Sequence, residues 1–245
     1  WNLFGFVVGE LRAGFKIVNN ETGTAYVRLS TKHYIAKWIA DHRGREKKNV
    51  HITFDKQGIR WSGRLDNYKL VKETGGKVYL EATFRHDYEE VKHIRCWASP
   101  FLPAEIQFPK VWMVFGKAKW ALSVTLLVNL MRLQSSLWML PDDPMAPGGW
   151  FNFDQSNWPI VMKPFNYNDD NSVFTTVFSR FRSWHELASR SLEDAQLTVV
   201  CRRWLEGDPL PWASANLRHG TLVIDIVDKS GWNTAARRKY YSCRP

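Results

Sequence analysis

Cysteine is scarce in this chain and poorly placed for cross-linking. Cys96, Cys201 and Cys243 are odd in number and far apart, which excludes a disulfide framework and the close paired spacing of a zinc site. A reducing assembly compartment fits that usage. Long apolar runs are also missing: the longest, from Ala121 to Leu130, is interrupted by Ser123, Thr125 and Asn129 and is too short to span a bilayer. No membrane anchor is indicated. No serine lies in a Gly-x-Ser-x-Gly elbow and no glycine-rich loop precedes a helix, so the usual signatures of hydrolases and phosphate-binding enzymes are lacking. Internal repeats and low-complexity tracts are absent as well. The chain opens at Trp1 with neither an initiator methionine nor a signal-peptide pattern and stops at Arg244-Pro245, which leads us to expect the ordered part of a longer protein.

Negative charge is in deficit. The chain has 34 Lys and Arg against 24 Asp and Glu, a net charge of +10 and a pI near 9.6. Such an excess attracts polyanions over long range, or else is spread over solvated faces. What is plentiful is aromatic surface: 13 Trp, 14 Phe and 8 Tyr in 245 residues. The tryptophans occur singly along the chain, an arrangement that favours cores and partly wet subunit contacts over sugar or base stacking. With 44% hydrophobic residues the chain can bury a sizeable core.

The first hundred residues read as strands with one inserted helix. Ala25, Val27 and Leu29 alternate with Tyr26 and Arg28, the period of a strand between two environments. Ser30-Thr31 offers an N-cap for a helix carrying Tyr34, Ile35, Trp38 and Ile39 on one stripe, ending near Gly44. Residues 50–54 and 59–65 flank Asp55-Lys56-Gln57-Gly58 and predict a hairpin. In residues 77–85, Val78, Leu80, Ala82 and Phe84 take one face and Tyr79, Glu81, Thr83 and Arg85 the other. Short strands at these intervals with a helix alongside predict a small barrel or closed sheet. Prolines at 100, 103 and 109 mark a connection or boundary. Trp120, Val124, Leu127, Val128 and Met131 then give the strongest helical period. Residues 141–172, rich in Pro, Gly, Asn and Asp, predict an irregular surface loop, and residues 174–194 a helix with Phe174, Phe178, Phe181 and Trp184 on its buried side. Strands are expected at 197–204 and 221–227.

The search for chemistry yields little. His86, Glu90 and His93 place carboxylates between two imidazoles, but not with the one-turn spacing of a helical zinc motif, and edge-strand charge is the preferred reading. Asp142-Asp143 and Asp169-Asp170 lie in loop sequence, where aspartate is an ordinary turn former. Cys96 beside Trp97 has no base nearby in sequence and reads as a small core residue. No catalytic residue, metal site or cofactor is therefore assigned. Basic clusters at Arg43, Arg45, Lys47 and Lys48, at Arg202-Arg203, and at Arg237, Arg238 and Lys239 are candidates for electrostatic contact.

Three segments, Arg60-Trp61-Ser62-Gly63-Arg64-Leu65-Asp66, Trp97-Ala98-Ser99-Pro100-Phe101-Leu102-Pro103 and Glu105-Ile106-Gln107-Phe108-Pro109-Lys110, resemble the minor tail proteins of siphophages infecting actinobacteria. The stretches 201–209 and 227–231 are similar to the same proteins. The resemblance implies a tail-tip or baseplate hub: a homotrimeric ring that closes the tail tube, adapts sixfold to threefold symmetry and lets DNA pass. The fold class it implies is α+β and β-rich, a tail-tube-like β-barrel with a flanking helix plus an inserted mixed domain. The domains are then 1–98 for the barrel, 99–195 for the insertion, and 196–245 for returning strands that complete a barrel and begin a further domain. Implied partners are further copies of the chain, a distal tail protein, a tape measure protein and other minor tail or fibre proteins, with phage DNA nearby. The location is the virion tail tip, assembled in the host cytoplasm. Candidate subunit contacts are Trp61, Trp97, Pro141, Trp150, Trp158 and Pro164. The alternatives are a tail-associated cell-wall-degrading enzyme, a glycosidase or peptidase, and a nucleic-acid-binding module.

Overall fold

In a computed structural model, which describes residues 3–45, 49–100, 102, 105–134, 156 and 158–230, the chain divides into two units, Trp1–Glu89 and Glu90–Pro245. The first is built on an antiparallel sheet of β1 (Arg12–Val18), β2 (Glu21–Ser30), β3 (His51–Lys56), β4 (Ile59–Lys72) and β5 (Val78–His86), in the order β1-β2-β5-β4-β3. The alternation read from β2 and β5 is what holds it. Ala25 lies opposite Phe84, Val27 opposite Ala82 and Leu29 opposite Leu80, all buried. Cross-strand apolar pairs of this kind bury side chains that each contribute about 1.5–3 kcal/mol when fully enclosed. Trp61 from β4 and Ile35, Ala36 and Ile39 from helix α1 (Tyr34–Ala40) complete the core. The hairpin between β3 and β4 turns on Gln57 and Gly58, both at positive φ (51° and 80°), which matches the strand twist.

Two expectations for helix α1 are corrected. Helix α1 is capped by His33, whose Nδ1 accepts the Ile35 N–H at 3.1 Å, and not by Ser30 or Thr31. The helix stops at Ala40, and Gly44 serves the following turn by donating its N–H to Asp41 Oδ1 at 2.8 Å. The sheet is a curled half-barrel; β1 and β3 are its terminal strands, so the described residues of this unit do not close it. A bulge in β4 between Leu65 and Asn67 contributes to this. Before it Trp61 and Gly63 are buried; beyond it Leu70 is 61% exposed.

Helix α2 (Tyr88–Lys92) spans the division between the units. The second unit contains β6 (Trp112–Lys117), α3 (Ala118–Gln134), β7 (Ile160–Met162), β8 (Phe174–Ser179), α4 (Trp184–Asp194), β9 (Leu197–Arg203) and β10 (Leu222–Asp228). β6 pairs with β8 antiparallel; β10 pairs antiparallel with β9 and parallel with β7. The expected strands at 197–204 and 221–227 therefore exist but do not return to the first sheet. β7 emerges from the stretch read as irregular loop and supplies their third strand, so segments 99–195 and 196–245 share one unit.

Helix α3 carries the period that predicted it, and two of its polar interruptions, Thr125 and Asn129, are hydrogen-bonded within the unit. Thr125 donates to the Ala121 carbonyl and accepts from the Trp112 indole N–H, at 2.8 and 2.9 Å. Asn129 donates to the Thr125 carbonyl and accepts the Trp97 N–H, at 2.8 and 3.1 Å. The helix predicted for 174–194 is corrected: its first third is strand β8. The four-residue spacing of Phe174 and Phe178 suits a helix, but Thr175-Thr176-Val177 is β-branched, and Phe181 takes a positive φ of 64°. The helix proper begins after Ser183, which forms a capping box with Glu186. None of the described helices is long and apolar enough to cross a membrane.

Two measurements test the first unit. A Cβ built on Gly63 would collide with the Arg85 carbonyl oxygen and the Trp61 ring. Gly63→Ala is expected to destabilise by roughly 2 kcal/mol or more in chemical denaturation, and an unchanged midpoint would refute the close approach. On the same sheet, Lys69 and Arg28 reach Glu81 at 2.7 and 2.5 Å and, in that order, hold its carboxyl below the usual range. A lowered folded-state pKa gives stability that is full above the unfolded-state value and is lost as pH falls through the folded-state value. Wild type and Glu81→Gln should differ in stability at neutral pH and converge in acid; parallel pH profiles would count against this ion pairing.

Candidate interaction surface

The start of α3 organises the residues that surround the candidate surface. Three successive backbone amides there find acceptors in one short segment: Ala118 N–H donates to the Val173 carbonyl, Lys119 N–H to Ser172 Oγ and Trp120 N–H to Asp170 Oδ2, at 2.8, 2.9 and 2.8 Å. These are amides a helix leaves without an internal partner. Asp170 is buried and also accepts the Ser172 N–H at 2.8 Å, so its carboxylate is a cap with both oxygens engaged. Tyr167 closes the corner: its ring meets Trp120 edge-on at 5.2 Å and lies 4.7 Å from Lys117 Nζ, which donates to the Tyr167 carbonyl at 3.1 Å. Asp169-Asp170, considered as a carboxylate pair, thus has one member assigned to backbone capping.

From this corner β6 and β8 run side by side, Lys117 opposite Phe174, Phe115 opposite Thr176, Met113 opposite Phe178. On one face Val177, Ser179 and Gly116 are buried. The other face presents Met113, Phe115, Phe174 and Phe178, which are 66%, 71%, 61% and 54% exposed. The Phe115 and Phe174 rings lie 5.9 Å apart. Exposed apolar area there is on the order of 500 Å², the size at which a contiguous patch marks an interaction site on a folded protein. Periodicity misses this face because residues 174–179 suit a helix and residues 112–117 carry no assignment from the sequence. The available signal is in β6, where Met113 and Phe115 alternate with the equally apolar Trp112 and Val114, the pattern of a strand covered on two sides.

The residues singled out from the sequence lie elsewhere. Trp61 is fully enclosed in the first unit, where Phe15, Phe54 and His86 pack around its ring. As a subunit contact it is corrected, since it has no surface to offer. Trp158 is likewise buried in the second unit, whereas Pro164 is exposed. Trp97 is half-buried, with the Arg132 guanidinium 3.3 Å above its ring and Phe181 edge-on at 5.3 Å. Pro141, Trp150, Lys47, Lys48, Arg237, Arg238 and Lys239 lie outside the described residues, as do Asp142, Asp143 and Cys243. Arg43 is exposed; Arg45 is half-buried beside a hollow lined also by His42, Asn49, Leu65 and Tyr68.

The candidate chemical groups are placed as follows. His86 packs against Trp61 at 5.4 Å and its Nδ1 accepts the Tyr88 N–H at 3.2 Å, while Glu90 belongs to α2 and His93 follows it, exposed. Among the described residues no three His, Cys, Asp or Glu side chains converge on a common point. Cys96 and Cys201 are buried, and burial pushes the Cys96 thiol up to about 12.

Comparison with known proteins gives a consistent result. A family model described as siphovirus ReqiPepy6 Gp37-like protein matches residues 1–240. Minor tail protein Gp28 of Mycobacterium phage L5 and minor tail protein Gp28 of Mycobacterium phage D29 are each 47% identical to this chain over 253 residues, an alignment covering 96% of this chain and 42% of the relative. The chain therefore spans about two fifths of the length of these relatives.

Two outcomes are expected from this geometry. Asp170→Ala should cost about 1–2 kcal/mol through loss of the cap, with Asp170→Asn intermediate; equal stability of all three proteins would mean that the carboxylate does not cap α3. Native Cys96 should resist iodoacetamide at pH 8 and become alkylated only in denaturant, because thiolate is the reactive form. Rapid native labelling mapped to Cys96 would contradict its enclosure.

Proposed function

The chain belongs to the siphovirus ReqiPepy6 Gp37-like family of siphophage minor tail proteins, and from that premise we propose that it is a structural subunit of the tail-tip hub. Three copies form a ring that closes the tail tube and adapts its sixfold symmetry to a threefold tip. On this reading the ring holds a distal tail protein, the tape measure protein and other minor tail or fibre proteins, and opens to DNA at ejection.

One observation carries the proposal furthest. The first unit ends in two unlike sheet edges, β1 on one side and β3 on the other, and neither is covered by a further strand among the described residues. Such edges invite pairing. A closed ring of identical subunits needs a heterologous interface, in which two different patches of one subunit meet those of its neighbours. An open half-barrel with distinct edges supplies that pair, and joining the edges of neighbours would bury the exposed Ile17 of β1 and Ile59, where β4 begins beside β3. The threefold count comes from the hub reading. In that assembly the basic clusters, Arg43 and Arg45 among them, belong at subunit contacts or on the outer surface, because a wall that holds phosphate tightly would retard passing DNA.

Electron cryomicroscopy of the tail tip tests the proposal. Three equivalent copies of this chain around the tail axis are expected, joined through the first unit. One copy, six equivalent copies, or basic clusters lining the channel would overturn it.

A further inference from the structure

We propose that the outer face of the β6–β8 ladder docks a different tail polypeptide, one whose contacting segment is acidic and apolar. The inference rests on the tail reading above but uses a surface on the second unit, apart from the sheet edges assigned to the ring.

Three observations define the occupant. The centre of the face is Met113, Phe115, Phe174 and Phe178, all more than half exposed; Phe and Met are enriched in interface cores, and Lys, Asp and Glu are depleted there. The ends of the face are cationic. Lys117 shares the side of Met113 and Phe115 at one end, and the exposed Arg180 directly follows the last residue of β8 at the other. Lys110, Lys119 and Arg182 flank the two strands. Across residues 106–121 and 171–185 there is no aspartate or glutamate. The nearby Glu186 carboxylate is engaged by Ser183, first through its backbone and then its hydroxyl, and lies in the field of Arg95 and Arg182. An apolar patch with Lys117 and Arg180 at its ends is complementary to a partner that brings apolar side chains and its own carboxylates.

A protein segment fits better than nucleic acid or lipid because the side of β6 away from β8 carries no strand among the described residues. Its main-chain groups suit an added β-strand, a use neither phosphate backbone nor bilayer makes of them.

The test uses assembled virions carrying the whole chain, with benzoylphenylalanine in place of Phe115 or Phe178, irradiated and analysed by peptide mass spectrometry. Both sites are exposed, and normal incorporation of the variant chain into tails verifies its fold. The expected product joins Phe115 or Phe178 to a different tail protein, within a segment of net negative charge. A second arm adds Arg180→Glu, which should lower the yield of that product about tenfold if the rim charge steers docking. Cross-links only to another copy of this chain, to DNA, to lipid or to a basic segment would overturn the proposal, as would no cross-link or a yield indifferent to Arg180→Glu. Absence of the chain from purified tails would instead overturn the tail reading, and the two failures are thereby distinct.

Discussion

The second unit depends on satisfying three amides at the start of α3. A helix packed on several strands cannot leave these donors to water, and an unpaired buried donor costs about 1–3 kcal/mol. Asp170, Ser172 and the Val173 carbonyl take all three, and the next residue, Phe174, is the first of β8. The cap therefore sets the register of β8 against β6, with Lys117 opposite Phe174. Since side chains alternate along a strand, that register decides which side of the ladder packs on α3 and which remains outside. A slip of one residue would turn Phe174 and Phe178 inward and expose Val177. The outward aromatic face thus follows from a local requirement of helix chemistry.

Opposite strategies hold the two units. In the first, apolar pairs across β2 and β5 form a core closed by Trp61, while charges on the other side are arranged in small networks: Arg28, Lys69 and Glu81 in one, Arg85, Asp66 and Glu89 in another. In the second, polar side chains enter the interior, and several of them pair there with backbone or ring N–H groups. The Trp184 indole N–H donates to the Leu122 carbonyl at 3.1 Å, and Thr125 and Asn129 link α3 to Trp112 and to the backbone of Trp97. These bonds orient the large rings around α3, so tryptophan acts there as a positioned strut as well as apolar bulk.

Much of the first unit is legible in the sequence because its determinants are local. Alternation in β2 and β5, the Gln57-Gly58 turn and the stripe of Ile35 and Ile39 all name their own environments. The second unit is legible at α3, where the period is long enough to be unambiguous. Legibility fails at residues 174–179, where Phe174 and Phe178 satisfy a helical spacing and the deciding factor is pairing with β6, some sixty residues earlier. The same limit explains Trp61: its indole resembles contact material in isolation, and only the convergence of Phe15, Phe54 and His86 shows that it is interior. Family membership and the structural tail role are legible in the tryptophan- and proline-containing segments. The apolar ladder face is not, because it exists only once two distant strands are joined.

The end of α3 has one more consequence. Gln134 accepts the Ile160 N–H and donates to the Ile160 carbonyl, at 3.0 and 2.8 Å, so its side-chain amide holds both main-chain groups of the first residue of β7. Two positions 26 apart in sequence are thereby held at one point. Loop-closure entropy grows only with the logarithm of length, about 0.6 kcal/mol per doubling. One glutamine thus ties the end of α3 to the start of β7, so that the helix and the three-stranded sheet are held together there by side-chain chemistry whatever the length of chain between Gln134 and Ile160.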